Sequence, residues 1–485
     1  MNYKMIGRFC AQMLAIEAAF MIPALLICLL DHSFKTANAF IIAVLALAAA
    51  SALLFLLARK APKEFYATEG MISVSVGWIL MSLFGCLPFF LSGEIPRFID
   101  AFFEMVSGFT TTGSSVVPNV EILSRGVLYW RSFSNWLGGM GVLVFLLAIV
   151  PMSGKSEGFT MHLLRAESPG PNVGKLVPKM RQTAAVLYVT YLSLTALNVI
   201  FLLLGGVNLF EAVCTAFGTA GTGGFGLKND SIAGYSAYVQ NVCTVFMLLF
   251  GVNFGCYYLL LLKQVKDVLR DEELRLYLGV VVGSIVLISL NIRGLYGTFG
   301  ESLRHAAFQV SSIITTTGFA TTDFDLWPCL SKSILLVLMF LGACAGSTGG
   351  GFKCARFLLI FKGVKRNLAQ MLRPQKVQVI RFNDKPMDEK IIANTNAYLC
   401  AYSLIIVVSF LLISADNFSL ITNFSAVVSC FNNIGPGFDL VGPTCNYADY
   451  SIFSKIVLIV DMLAGRLEIF PILALFSLKT WKPTR

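Results

Sequence analysis

Four glycine-containing segments recur along the chain, and each follows a short apolar stretch. They are 110–115 (TTTGSS), 220–225 (AGTGGF), 315–320 (TTTGFA) and 432–437 (NNIGPG). Backbone carbonyl oxygens in such loops can replace the hydration shell of a cation. Glycine allows the backbone angles that turn those carbonyls toward one axis, and the negative C-terminal end of a preceding helix adds attraction for the ion. The residue types therefore indicate a path for a dehydrated cation.

Glycine takes a corresponding place in all four segments, at Gly113, Gly223, Gly318 and Gly435. A single such glycine more often marks close packing of two membrane helices. Four of them in the same context favour a selectivity filter, and carbonyl-lined filters of this kind select K⁺. The predicted ion-binding residues are Thr111, Thr112, Gly113, Thr222, Gly223, Thr316, Thr317, Gly318, Asn433, Ile434 and Gly435. Within this set, bound K⁺ is assigned to Thr112, Gly113, Thr222, Gly223, Thr317, Gly318, Ile434 and Gly435.

The composition indicates that the bilayer is the solvent of this chain. Of its 485 residues, 56% are hydrophobic and only 13% are charged, which lies outside the range of water-soluble globular proteins. No apolar run long enough to span a bilayer contains the paired carboxylates or the Ser-His combination of a membrane-embedded enzyme, so an enzyme is not predicted. The twelve cysteines are scattered and the three histidines are dispersed, so neither a disulfide framework nor a metal cluster is indicated.

Apolar runs of about 20 residues are long enough to cross a bilayer. Ten runs are predicted to do so, at 10–30, 38–58, 69–93, 127–151, 183–205, 237–262, 275–296, 332–361, 391–414 and 452–478. Four shorter runs are predicted to be re-entrant, at 98–110, 208–219, 302–315 and 420–432. The predicted fold is an all-α integral membrane protein with two leading transmembrane helices, followed by four pseudo-symmetric repeats of helix, pore helix, filter loop and helix around one central pore.

The repeats and the basic residues define the organisation of the chain. The predicted parts are the two leading helices (1–68), the first repeat (69–152), a cytosolic loop with the second repeat (153–265), the third repeat with a basic cytosolic linker (266–390) and the fourth repeat (391–485). Most of the 37 Lys and Arg residues share one side if the N-terminus is cytoplasmic. The positive-inside rule therefore predicts that both termini are cytoplasmic. This distribution accounts for the net charge of +10 without nucleic acid.

Two features inside the predicted spans each have two interpretations. The string 345–351 (AGSTGGG) consists of small residues that do not hold a regular helix well. Either the chain breaks there, or the glycines allow two helices to pack closely. Arg466 lies in the last span, where an unpaired guanidinium costs at least about 2.5 kcal/mol. It either pairs with Asp461 or Glu468, or it projects into an aqueous pore.

Two strings imitate nucleotide-binding motifs without their context. The string 221–226 (GTGGFG) fits G-x-G-x-x-G, but no strand precedes it. Phe352 separates Gly351 from Lys353 in a string that is similar to a Walker A loop. A proton-coupled carrier of sugars or amino acids would have inverted repeats and charged sites in broken helices, rather than four like-oriented glycine loops. A cation pathway is therefore preferred to these classes.

The four loops together resemble the Trk/Ktr/HKT superfamily of cation transporters, most closely its bacterial TrkH-type potassium uptake subunits. Three further strings carry the resemblance: Trp130-Arg131 with 135–141 (NWLGGMG), 342–353 (GACAGSTGGGFK) and 462–468 (MLAGRLE). The likeness covers almost the whole chain, and the two leading helices match the TrkH type rather than the shorter Ktr type. Sodium-permeable plant relatives can carry serine in the first loop, so glycine in all four loops favours K⁺.

The resemblance implies uptake of K⁺, with permeation of Rb⁺, through one pore per subunit of a homodimer in the bacterial cytoplasmic membrane. It also implies a cytosolic nucleotide-binding gating protein of RCK type (TrkA type). K⁺ in the pore is the expected ligand, and no organic cofactor is expected. The alternative is a Na⁺-permeable or cation-coupled (H⁺ or Na⁺) symporter of the same fold. The implied gate residues are Ala345, Gly346, Ser347, Thr348, Gly349, Gly350, Gly351 and, as an opposing positive charge, Arg466.

Overall fold

The computed structural model describes residues 2–59, 67–141, 180–373, 378–477 and 481, and these are mainly helical. A short antiparallel ribbon pairs Arg381–Phe382 with Lys385–Pro386. The predicted all-α membrane fold is confirmed. The α-helices span Tyr3–Leu30, Phe34–Leu57, Ala67–Gly85, Leu87–Ser92, Phe98–Phe109, Arg125–Met140, Met180–Leu204, Leu209–Gly221, Ala237–Phe250, Phe254–Leu261, Val265–Arg270, Glu272–Asn291, Phe299–Ile314, Cys329–Leu341, Cys354–Leu372, Glu389–Ile413, Leu420–Phe431, Ile452–Arg466 and Phe470–Phe476.

Six helical segments among the described residues are long and apolar enough to cross a bilayer. They comprise the two leading helices and the first helix of each repeat, in agreement with six of the ten predicted spans. The segments are Tyr3–Leu30, Phe34–Leu57, Thr68–Ser92, Ala185–Leu204, Glu272–Asn291 and Glu389–Asp416. A seventh crossing is formed if the bent pair Ala237–Phe250 and Phe254–Leu261 is taken as one span.

The second helices of the second, third and fourth repeats are bent or interrupted. In the second repeat it bends by 88° after Phe250. In the third repeat it is interrupted between Leu341 and Cys354, and in the fourth it is interrupted between Arg466 and Phe470. The prediction of an unbroken span is wrong for the second and fourth repeats, because hydropathy measures only composition and does not detect a break in the helix. The break in the third repeat is one of the two interpretations that the sequence left open for 345–351. In the first repeat the helix ends at Met140, and the rest of the predicted span lies outside the described residues, as does the predicted cytosolic loop at 153–179.

The four re-entrant segments are short buried helices, as the sequence predicts. Three of them begin at a polar residue whose side chain accepts a hydrogen bond from the backbone N–H three positions later, which satisfies a donor that the first turn leaves free. These residues are Asn208, Thr298 and Ser419. Each of the four short helices is followed within two residues by a residue with left-handed backbone angles. The chain therefore turns away from the helix axis into the glycine segment.

The loops that follow the four glycine segments contact one another in cyclic order. Each contact is a hydrogen bond between consecutive repeats, and the last one joins the fourth repeat to the first. The bonds are Asn229 Nδ2 to Asn119 Oδ1 (2.8 Å), Ile232 N to Ala320 O (3.0 Å), Asp439 N to Asp325 Oδ2 (2.6 Å) and Tyr447 N to Ser115 O (2.8 Å). The four repeats therefore close into a ring, and the sequence-distant ends of that ring meet.

The two ends of the described chain lie on the same side of this ring. Tyr3 Oη donates a hydrogen bond to Trp481 O at 2.8 Å, and the two aromatic rings stack with their centroids 6.5 Å apart. This contact is consistent with the even number of crossings that the sequence predicts. The leading helices pack against the first repeat, where Gly126 approaches the backbone of Ala24 so closely that a Cβ would lie 3.0 Å from its carbonyl oxygen.

Candidate functional site

The four glycine loops share one backbone conformation. In each loop a residue with positive φ is followed two positions later by a glycine with positive φ. The pairs are Thr111 (56°) and Gly113 (80°), Thr222 (54°) and Gly224 (60°), Thr316 (58°) and Gly318 (85°), and Asn433 (56°) and Gly435 (108°). Threonine and asparagine rarely adopt these angles, so the surrounding structure must hold them there.

This conformation corrects the predicted alignment of the second loop. The N–H of Thr112 donates to Ser107 O at 2.8 Å, five positions back, and the N–H of Gly223 makes the same bond to Gly218 O at 3.0 Å. Gly223 therefore corresponds to Thr112, and Gly224 corresponds to Gly113. The predicted equivalence of Gly223 with Gly113 is wrong by one residue, because two adjacent glycines fit the same sequence pattern and only the backbone angles distinguish them.

One carbonyl oxygen from each loop lies against the glycine of an adjacent loop. A Cβ built on any of these glycines would overlap the neighbouring oxygen or, at Gly435, would lie 2.9 Å from it. The loops therefore approach one another more closely than any residue with a side chain permits. The contacts close a ring in chain order and are Gly113 with Gly223 O, Gly224 with Thr317 O, Gly318 with Ile434 O, and Gly435 with Thr112 O.

A polar cavity of about 140 Å³ leads to this ring from the side of the inter-repeat loops. Its floor contains the glycine with positive φ from each loop, namely Gly113, Gly224, Gly318 and Gly435. Gly223 does not line the cavity, which agrees with the corrected alignment. The residues predicted to form the filter are all brought together in the four loops, and Gly224 joins them in a place that the sequence interpretation did not give it.

Hydroxyl and amide groups of the loops bond to each other behind the ring. Thr110 and Thr112 share a hydrogen bond of 2.7 Å between their Oγ1 atoms, and Thr315 and Thr317 share the equivalent bond of 2.8 Å. Asn433 Nδ2 donates across the closure of the ring to Thr112 Oγ1 at 2.9 Å. These bonds fix the loops at a spacing that the glycines make possible.

A buried ion pair behind the first loop was not singled out from the sequence as a pair. Arg131 Nε donates to Glu104 Oε1 at 2.5 Å, and the two side chains are 3% and 0% exposed. The guanidinium also donates to Gly226 O at 3.0 Å and lies 3.6 Å from the centroid of Phe225, while Glu104 accepts the N–H of Val116 at 2.9 Å. The pair therefore joins the exits of the first two loops. The signal in the sequence was a carboxylate in a short apolar run, which is costly without a partner.

The segment 342–353 has no regular structure and lies directly against the ring. Gly350 N–H donates to Thr316 Oγ1 at 2.6 Å, and a Cβ on Gly350 would lie 2.6 Å from Asn432 O. On its other side the segment bonds to the bend of the second repeat, through Phe254 N–H to Gly346 O at 3.0 Å. Of the two interpretations of this string, the structure contains the chain break.

Arg466 connects this segment to the first repeat. Its guanidinium donates to Thr348 O at 3.0 Å, to Gly139 O at 2.8 Å and to Gly138 O. Of the two acidic residues considered as partners, Glu468 forms an ion pair with Arg356, and Asp461 accepts a hydrogen bond from Ser409. The positive charge of Arg466 is thus held at the junction of the third, fourth and first repeats.

Lys353 is also part of this buried region. The side chain is 1% exposed, and its Nζ donates to Gly349 O. Its φ of 75° places it at the end of the irregular segment, just before Cys354–Leu372 begins. Lys353 therefore cannot contribute to an external surface, whereas Lys365 and Arg373, later in the chain, are exposed.

The comparisons with known proteins extend over nearly the whole chain. A sequence model of the TrkH family, described as cation transport protein, matches residues 35–482. The chain belongs to the TrkH family. A Trk system potassium uptake protein TrkH of Salmonella typhimurium is 36% identical over 432 residues, which cover 87% of this chain and 88% of that protein. A second TrkH, from Halomonas elongata, is 33% identical over 490 residues, which cover 99% of this chain and 100% of that protein.

A solved structure of the same family supports the fold of this TrkH-family chain. The crystal structure of the potassium transporter TrkH from Vibrio parahaemolyticus matches with a TM-score of 0.87 and 30% identity. The match covers 99% of this chain and 100% of that structure. Members of this family are transport proteins, so the prediction that the chain is not an enzyme is confirmed.

Proposed function

We propose that this chain mediates uptake of K⁺ through the ring of four glycine loops. The observation that carries the proposal is the set of four equivalent carbonyl oxygens, of Thr112, Gly223, Thr317 and Ile434, each packed against the glycine of an adjacent loop. The relatives are named potassium uptake proteins, which supports the choice of ion.

The ring has the chemistry that a dehydrated monovalent cation requires. Carbonyl dipoles replace the water that the ion loses, and no charged side chain is needed at the filter itself. The short helices aim their C-terminal ends, which carry partial negative charge, toward the same place. K⁺ binds at the predicted residues of the four loops, with Gly224 added as the counterpart of Gly113. Rb⁺, which is close to K⁺ in size, passes through the same ring.

The segment 345–351, which we call the gate segment, obstructs this path when the transporter is closed. Its support is position: it bonds to the filter threonine Thr316 and to Arg466, so a loop and a fixed positive charge lie immediately beyond the ring. A cation that leaves the filter must displace or pass both of them. Opening therefore requires movement of the gate segment.

A cytosolic nucleotide-binding partner of RCK type drives that movement, and the transporter is a homodimer in the bacterial cytoplasmic membrane with both termini inside. The relatives are named as proteins of a "Trk system", and the word system supports the existence of further components. The exposed basic residues on the side that carries the termini support the orientation. They include Lys365, Arg373, Arg381, Lys385 and Lys390.

The test is Rb⁺ uptake by vesicles that contain the purified chain, followed by current measurement in a planar bilayer. The proposal predicts uptake that K⁺ inhibits and a current that reverses at the K⁺ equilibrium potential. A reversal potential that follows Na⁺, or one that shifts with a H⁺ gradient, would favour the Na⁺-permeable or coupled symporter instead. Absence of any Rb⁺ uptake with and without partner would contradict the proposal.

A further inference from the structure

The first residue of the gate segment and a residue just beyond its last are bonded to one oxygen atom. Ala345 N–H donates to Glu273 Oε1 at 2.6 Å, and Ala355 N–H donates to the same atom at 2.9 Å. Ala345 lies within the irregular stretch, and Ala355 lies in the first turn of Cys354–Leu372, so neither N–H has a helical partner. Ala345 is 8% exposed, Ala355 is 2% exposed and Glu273 is 4% exposed.

A rigid element holds this carboxylate in place. Glu273 lies in the first turn of the helix Glu272–Asn291, which is a full membrane crossing. Asp271 caps that helix by accepting the N–H of Leu274 at 2.8 Å, and its second oxygen accepts from Asn383 Nδ2 at 2.7 Å. The position of Glu273 is therefore set by the third repeat's first helix and not by the gate segment itself.

The two bonds have a specific mechanical consequence. A single acceptor that bonds to both alanines keeps Ala345 and Ala355 close together. The residues between them then form a closed loop. Hydrogen bonds to a charged acceptor are stronger than those between neutral groups, and a buried N–H that loses its partner is costly. Any movement of the gate segment that carries Ala345 away from Ala355 therefore breaks one of the two bonds.

We propose that Glu273 is a positioning residue that holds the gate segment closed by binding the backbone at its first residue, Ala345, and just beyond its last, at Ala355. The inference rests on the proposed function, in which the gate segment obstructs the pore. It adds an anchor at Ala345 and Ala355, whereas Thr316 and Arg466 bond to Gly350 and Thr348 between them. Opening by the partner then requires the release of at least one of the two bonds to Glu273 Oε1.

The test compares three variants in vesicles without partner. Glu273→Ala removes the acceptor and should raise Rb⁺ flux by about tenfold, the factor that corresponds to the loss of roughly one such bond from a closed state. Glu273→Gln keeps an oxygen that can accept both N–H groups without the charge, so its flux should lie between those of the wild type and Glu273→Ala. The matched control is Glu272→Gln, which removes the same charge one residue away, where the carboxylate pairs with Lys362 at the surface. Its flux should equal that of the wild type.

Two further measurements separate an effect on the gate from a loss of structure. Hydrogen exchange at the amides of 345–355 should be faster in Glu273→Ala and unchanged in Glu272→Gln. Combining Glu273→Ala with deletion of 347–350 should add nothing to the flux of the deletion alone, because Glu273 acts through the segment. If Glu273→Ala does not fold, Glu273→Gln provides the same comparison with a smaller change.

The outcomes distinguish this inference from the proposed function. If deletion of 347–350 raises flux while folded Glu273→Ala and Glu273→Gln have wild-type flux and exchange, Glu273 is not an anchor of the gate and the inference is overturned. If the deletion itself leaves flux unchanged, the gate segment does not obstruct the pore and the proposed function fails at that point. Equal increases in Glu272→Gln and Glu273→Gln would mean that net charge, not the two hydrogen bonds, controls the flux.

Discussion

The glycines of the four loops meet two separate requirements at single-residue scale. Their positive φ is unfavourable for residues with a Cβ, and a Cβ would also meet a carbonyl oxygen of the next loop. The first requirement alone could be met at some cost by asparagine, as the positive φ of Asn433 illustrates. The second cannot, because the oxygen belongs to the backbone of another loop. Substitution at these positions must therefore change the ring itself.

Gly113→Ser should lower the K⁺/Na⁺ permeability ratio by about tenfold or more, which corresponds to roughly 1.4 kcal/mol of relative binding energy. The added side chain displaces Gly223 O and loosens the coordination of the larger ion. The matched control is Gly279→Ser, since Gly279 has open space around it. Bi-ionic reversal potentials measure the ratio, and an unchanged ratio in Gly113→Ser would contradict the filter assignment.

The corrected alignment of the second loop makes a separate prediction. Gly224→Ala should reduce K⁺/Na⁺ selectivity as strongly as Gly318→Ala, because each Cβ overlaps a backbone carbonyl of the next loop. At Gly223 the added Cβ meets only the side chain of Asn135 among its nearest contacts, so Asn135→Ala should restore selectivity to Gly223→Ala and should not restore it to Gly224→Ala. Equal rescue of both variants would show that the alignment is wrong.

Glu104→Gln should destabilise the protein by about 3 to 5 kcal/mol, because it leaves the buried guanidinium of Arg131 without its counter-charge. The matched control is Asp31→Asn, which breaks the ion pair with Arg125 at the surface, where the arginine side chain is 55% exposed. That change should cost about 0 to 1 kcal/mol. Thermal unfolding in detergent measures both, and similar losses in the two variants would contradict the structural role assigned to Glu104.

At the scale of elements, the helices of the later repeats differ in regularity. The first helices are continuous crossings, whereas the described second helices of the later repeats bend or break near the level of the filter. Irregular backbone at membrane depth is tolerated where it is buried in protein or lines an aqueous path. The break in the third repeat is the longest of these, and it places backbone N–H groups where they bond to Thr316 and Glu273.

Arg466→Ala and deletion of 347–350 should each raise K⁺ flux in the absence of partner. A fixed positive charge next to the filter opposes a cation by about 4 kcal/mol at 4 Å and an effective dielectric of 20. Because Arg466 bonds to Thr348 within the deleted stretch, the double variant should add little to the larger single effect. Rb⁺ uptake into vesicles measures the flux of the wild type, the two single variants and the double variant.

The control for Arg466 is Arg366→Ala, which removes a positive charge that pairs with Glu389 away from the ring. This variant should retain wild-type flux. Lower flux in Arg466→Ala, with the protein folded and dimeric, would identify Arg466 as a structural residue and place the barrier elsewhere.

At the scale of the whole molecule, the repeats form a ring whose closure depends on contacts between the first and last parts of the chain. Tyr447 bonds to Ser115, Asn433 bonds to Thr112, and Lys455 pairs with Asp100 at 2.6 Å. All three join the fourth repeat to the first. Under the proposed orientation the side that carries the termini is the basic one, and it is the surface that would face the proposed partner.

The exposed basic residues should bind the gating partner in a salt-dependent manner. Neutralising Lys365, Arg373 and Lys385 together should weaken binding of the partner to the detergent-solubilised chain, and raising the salt concentration should reduce the difference from the wild type because charges exposed to solvent are screened. Lys353 is buried, so its substitution should leave the salt dependence unchanged. Affinity that is indifferent to ionic strength would place the contact on apolar loop residues.

The sequence alone determined the class of protein, the positions of the four short helices and the four glycine loops. Hydropathy, small-residue strings and glycine segments are local properties, so neighbouring residues are enough to read them. The tertiary structure decided the alignment of Gly224, the carbonyl that each glycine contacts, the burial of Lys353 and the two bonds that Glu273 makes to the gate segment. Each of these depends on groups brought together by packing of different helices, and composition or spacing along one segment carries no record of which carbonyl or carboxylate will lie opposite it.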